Sequence, residues 1–200
     1  MRLKTISMGL VLGACCVMSA GSVAANAQMK MDEPMKMGKV SPAKALDDLL
    51  SLYEGEALGV AKAMPADKYN FAPSAVIFAP GQAVKFDTVR TFAEQITHVT
   101  EANYYFYSAV GGMKPDVDMK ALGEIKTKDE AVAALAASFV FAHKAIATIT
   151  PENAFLPIKP IDGQGTRATL AAFGVAHGYD HYGQLVEYLR MNGVVPPGSK

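Results

Sequence analysis

Apolar residues recur at spacings of three, four and seven in four separate stretches of the chain, divided by polar segments rich in Gly and Pro. The first stretch opens with Ser41 as an N-cap and Pro42 at the first helical position. It carries Leu46, Leu49, Leu50, Tyr53, Ala57 and Met64, then meets Pro65. A 3.6-residue period places such positions on one face, so the spacing predicts a helix. The second stretch begins at Asp87 or at Thr91, where Thr91-Phe92-Ala93-Glu94 has the form of a capping box, and runs to about Gly111. A further capping box, Thr127-Lys128-Asp129-Glu130, opens an alanine-rich third helix predicted to end near Pro151. The fourth runs from Thr166 to Asn192-Gly193, with Leu170, Phe173, Gly174, His177, His181, Leu185 and Tyr188 on one line. The segments between them, 66–84, 111–126 and 151–165, read as irregular connections. With no alternating strand pattern, the expectation is an all-α fold, a four-helix bundle with long loops.

Composition changes the picture at the N-terminus. Arg2 and Lys4 precede an apolar run, Ile6 to Val17, and small residues lead to Ala25-Asn26-Ala27, so residues 1–27 read as a secretory signal peptide. The apolar run is well short of the roughly 20 residues that a membrane-spanning helix needs. The expectation is therefore an exported protein, periplasmic or secreted, with no membrane span. Leu12-Gly13-Ala14-Cys15 also has the form of a lipoprotein box, which gives a competing reading with a lipid anchor at Cys15. Cys15 and Cys16 are the only cysteines, so cleavage after Ala27 leaves a chain without a thiol or disulfide of its own. Cleavage also takes the basic count from 19 to 17 against 19 acidic residues, a net charge of −2. Such a balance gives no electrostatic case for nucleic acid or an acidic membrane surface. Residues 28–40 form a polar arm carrying Met29, Met31, Met35 and Met37. Its thioethers are soft ligands suited to Cu(I), and the competing reading is a flexible linker. Residues 41–200 are then a single bundle domain, as expected for a chain of 200 residues.

Candidate chemistry lies with the four histidines. His177 and His181 stand four residues apart, so on a helix their rings share a face and can converge on one ion. They lie on the apolar line of the fourth helix, where two imidazoles need hydrogen-bond partners or a metal to offset their desolvation. The plain alternative is a pair of hydrogen-bonded core histidines. A third ligand must come from another helix, and the remaining histidines are His98 and His143.

The segments "FAEQITHVTEANYYFYSAV" and "LAAFGVAHGYDHYGQLVEYLRMNGVVPP" resemble the DinB/YfiT-like superfamily, which pairs a helix-two histidine with an H-x-x-x-H-x-G-Q segment on the last helix. "AMPADKYNFAPS" resembles that family's link after helix one, and the likeness runs from Ala43 to Pro197. The resemblance implies a metal-binding four-helix bundle with His98, His177 and His181 as the ligands of a divalent ion, Zn or Ni first among them, and leaves His143 outside the site. Tyr182 departs from the pattern, standing where relatives carry arginine. Counting at about 100° per residue puts His98 nearly half a turn from the Phe92, Ile96, Val99, Phe106 stripe. His98 therefore requires helix two to bury two faces, with Thr91, Gln95, His98, Ala102 and Tyr105 lining a pocket.

The resemblance also implies activity on a small-molecule substrate, either hydrolysis or transfer of a low-molecular-weight thiol. The alternative is a non-catalytic metal-binding and metal-handling protein whose methionine arm captures copper. Glu94 and Glu101 are candidate general bases and Tyr105 a candidate donor to an oxyanion, against the plainer reading of a solvated helix face and an aromatic core residue. Gln184, one turn after His181, is the candidate for orienting a ligand. The cluster Tyr104, Tyr105, Phe106 and Tyr107 reads as core or homodimer packing.

Overall fold

The computed structural model describes residues 38–199, apart from 75, 76, 78, 79, 83, 84, 86 and 87. Residues 1–27, read from the sequence as a signal peptide and including Cys15, lie outside the described residues, as do the methionines at 29, 31, 35 and 37 and Asp87. What is described belongs to one compact unit that begins at Gly38.

Four long helices make up that unit: α1 (Pro42–Ala63), α2 (Phe92–Gly111), α4 (Lys128–Ile146) and α5 (Arg167–Met191). A single short turn of helix, α3 (Met119–Leu122), precedes α4, and a small hairpin of β1 (Pro157–Ile161) and β2 (Gln164–Thr166) precedes α5. The helix starts follow their capping side chains. Ser41 accepts from the Lys44 N–H, and Thr91 and Thr127 form reciprocal capping boxes with Glu94 and Glu130. The second helix thus begins at Thr91, the later of its two candidate starts. At the far end of α5, Asn192 caps the helix and Gly193 turns the chain out at φ 71°.

Each of α1 and α2 packs on both α4 and α5, which closes the bundle. The core is built from Leu50, Tyr53, Phe92, Ile96, Tyr104, Tyr107, Leu135, Phe139, Leu170 and Leu185, all fully buried. Each such side chain contributes on the order of 1.5–3 kcal/mol relative to exposure. Two polar groups at the α2–α4 seam are paired inside it, Asn103 Nδ2 donating to Ser138 Oγ at 3.0 Å.

Several expectations change. Leu49 faces outward and is 39% exposed, one step off the α1 stripe. The third helix ends at Ile146 and not near Pro151, because the chain tightens into three-residue hydrogen bonds there, Thr148 N–H to Ala145 O and Ile149 N–H to Ile146 O. Segment 151–165 holds a β-hairpin whose turn, Asp162-Gly163, has both residues at positive φ, 47° and 78°. That is the requirement of a I′ turn, and Asp-Gly is the dipeptide that meets it. Pro157 and Pro160 in β1 mask the strand in the sequence. Among the described residues, no helix is long and apolar enough to cross a membrane.

Candidate metal centre

The α2 and α5 helices bring three imidazoles to one point. His177 and His181 come from successive turns of α5. His98 reaches them from α2, its ring centroid 5.3 Å from that of His177 and 4.6 Å from that of His181. One donor nitrogen from each ring lies within 4.8 Å of the others. The angular objection to His98 disappears because α2 buries two faces: Phe92, Ile96, Val99 and Phe106 on one, Gln95 and Ala102 on the other. His143 lies elsewhere, between α1 and α4, with Nδ1 2.6 Å from Asp47 Oδ1 and Nε2 3.1 Å from Glu54 Oε2.

Burial holds all three rings of the cluster toward the neutral form. His181, only 5% exposed, is pulled down to about 4 by desolvation first, then by His177 and His98. Desolvation, the Arg90 guanidinium and His177 lower His98. His177 is lowered by desolvation, against the opposing pull of the Asp180 and Asp162 carboxylates.

A chain of hydrogen bonds then selects the tautomer of His181. Gln184 Nε2 faces the Asp180 carboxylate at 3.2 Å, an acceptor that only an NH₂ group can serve. Gln184 Oε1 therefore faces Gln95, whose Nε2 donates to it at 2.7 Å. Gln95 Oε1 is left to accept from His181 Nδ1, also at 2.7 Å. His181 thus carries its proton on Nδ1 and presents the lone pair of Nε2, which sits 3.3 Å from His177 Nε2. Two nitrogens bound about 2.0–2.1 Å from a tetrahedral Zn²⁺ stand about 3.3–3.4 Å apart, so the pair has the spacing of such a site. The donor set fits a divalent ion of borderline softness.

Glycines let aromatic side chains of α1 and α2 lie close against α5. A Cβ on Gly178, between the two histidines, would fall 2.2 Å from the Tyr53 ring, and one on Gly174 would fall 3.0 Å from Tyr107 Oη.

Two open cavities meet at His98. One, of about 790 Å³, is polar and has Arg90, Thr97, Glu101 and Lys126 in its wall. The other, of about 460 Å³, is lined by Tyr105, Phe106, Met119 and His177, with Glu101 and Asp162 at its charged positions. Glu101 and His98 belong to both.

The other sequence candidates divide. Glu94 lines the polar cavity, but its carboxylate accepts from the Thr91 N–H at 2.7 Å and serves the helix cap. Tyr105 is 57% exposed and so is no core residue, whereas Tyr104, Phe106 and Tyr107 are buried in the core. Gln184 acts one residue further from the imidazoles than its spacing suggests, through Gln95. Gln95 is 2% exposed and belongs to the support of His181, not to the pocket lining. Asp162 was hidden inside an apparent loop, and its only signal was the Asp-Gly pair.

A family model described as the DinB superfamily matches residues 50–185, which include all three clustered histidines. Comparison with curated proteins finds no match. The match and the three-histidine group together fit a metal-binding protein of that kind.

Proposed function

Since the chain belongs to the DinB superfamily, we propose that His98, His177 and His181 hold a divalent metal ion, Zn or Ni first among the candidates, and that the protein is a metal-dependent enzyme acting on a small molecule. The observation that carries this reading is the convergence of three neutral imidazoles where two open cavities meet. Three protein ligands leave coordination positions for water or substrate, as in catalytic sites and unlike closed structural ones. The two cavities favour this reading over a metal-handling protein, which needs no substrate space.

A bound divalent ion would supply Lewis acidity, bringing a water or a thiol toward its ionised form near neutral pH. The chain's own residues supply orientation and proton transfer. Gln95 keeps the Nε2 lone pair of His181 turned to the site, and burial shifts all three rings toward the neutral form. Glu101 lies one turn after His98 in the wall of both cavities, so its carboxylate is placed to take a proton from a nucleophile bound at the histidines. The reaction is hydrolysis or a thiol-dependent transfer. Residues 1–27, as a signal peptide, would direct the protein out of the cytoplasm, and the thiol of a transfer would then belong to the substrate.

Elemental analysis of the mature protein, purified without chelators, is the direct test. Near-stoichiometric Zn, Ni or a similar metal is expected, with loss of that metal in His177→Ala. Metal-free wild-type protein would overturn the reading.

A further inference from the structure

The two cavities differ in chemistry along a line that passes the histidines. At one end stand Arg90 and Lys126. Among the described residues the Arg90 guanidinium makes no ion pair, and Lys126 Nζ is 4.0 Å from Glu124 Oε2 on the exposed surface. Tyr188 Oη donates to the Arg90 carbonyl at 3.0 Å, which holds its backbone, and the exposed residue lines the polar cavity. Arg90 and His98 line the same cavity. At the other end Tyr105, exposed beside the buried Phe106 at a centroid distance of 5.5 Å, forms an apolar wall with Met119. The carboxylates near this line are Glu94, Glu101 and Asp162. Glu94 is engaged by the Thr91 N–H, Asp162 lines the apolar cavity, and Glu101 lines both cavities without an ion pair to Arg90 or Lys126 among the described residues.

We propose that the site takes an organic carboxylate with an apolar or aromatic body. Its carboxylate is held by Arg90 and Lys126, its body lies against Tyr105, Phe106 and Met119, and its middle passes the histidine cluster. The inference rests on reading that cluster as the reaction centre. A guanidinium fork suits a planar carboxylate, and Arg90, which makes no ion pair among the described residues, lines the cavity that reaches His98. An uncharged ligand of the same shape leaves Arg90 without a partner.

The test is calorimetric titration of the mature protein with 4-phenylbutyrate and with its uncharged primary amide, in metal-loaded and in chelator-treated samples. The acid is expected to bind about ten- to a hundredfold more tightly than the amide, the range for hydrogen bonds to a charged group. Arg90→Gln is expected to bring the acid within about threefold of the amide while leaving the amide's affinity unchanged, which controls for folding. Tyr105→Ala is expected to weaken both probes. Equal binding of acid and amide by the wild-type protein, retention of the preference in Arg90→Gln, or no binding of either probe overturns the inference. Preference for the acid in protein that takes up no metal upholds it while removing the metal reading. A metal-loaded protein without the preference does the reverse.

Discussion

Gln95 sits between two partners that its primary amide serves at once, the oxygen accepting from His181 Nδ1 and the nitrogen donating to Gln184 Oε1. A side chain in that position determines which nitrogen of His181 is protonated and how the ring is aimed, which is how groups behind a metal ligand tune it. Gln95→Leu keeps the approximate volume and removes both hydrogen bonds. The expected outcome is a metal affinity lower by about 10- to 100-fold with helical content retained. Competition against a chromophoric chelator, with circular dichroism beside it, measures this, and an unchanged affinity would deny Gln95 its role.

The helices themselves are set at their distances by particular side chains. Gly178 and Gly174 let Tyr53 of α1 and Tyr107 of α2 lie against α5, and Tyr107 Oη donates to the Ala171 carbonyl at 3.1 Å. On the opposite side, His143 of α4 bridges Asp47 and Glu54 of α1. Burial alone would lower the His143 pKa, but the hydrogen bonds and charges of Asp47 and Glu54 outweigh it and raise the value. A raised pKa means that the folded state holds the proton more tightly than the unfolded chain. The α1–α4 bridge therefore stabilises fully below about pH 6.5, the unperturbed histidine value, and its contribution fades as pH rises through the folded value. His98, His177 and His181 act with the opposite sign: their pKa values are lowered, so their contribution is present above about pH 6.5 and lost as pH falls toward those lowered values. Urea unfolding of chelator-treated protein from about pH 7.5 to pH 9 isolates the bridge, since the cluster histidines are then neutral in both the folded and the unfolded chain. Wild type is expected to lose stability with rising pH there, and His143→Gln to show a flatter profile. Parallel profiles for the two proteins would mean that the bridge contributes nothing.

For the whole molecule, an ion held as proposed between α2 and α5 would tie together two helices of the bundle, which would link metal occupancy to global stability. Free metal at a hundredfold over its dissociation constant adds about 2.7 kcal/mol. For a domain of this size that corresponds to roughly 5–10 °C in Tm. Treatment with EDTA is expected to lower Tm by that order, and metal return to restore it. A melting temperature indifferent to chelator would leave the histidines as polar core residues.

The order and nature of the long helices were legible in the sequence, because capping boxes and 3.6-residue periodicity are local and Ser41, Thr91, Thr127 and Thr166 each announce their own helix. The i, i+4 placement of His177 and His181 was local in the same sense. That His98, and not His143, joins them depends on which faces of α2, α4 and α5 meet, and helix packing joins residues dozens of positions apart. The supporting role of Gln95, which the sequence placed on the pocket line, and the places of Asp162 and Arg90 became visible only there. Gln95 takes its meaning from a partner on another helix, Asp162 from a turn whose strands are masked by prolines, and Arg90 from a cavity that forms when distant segments come together.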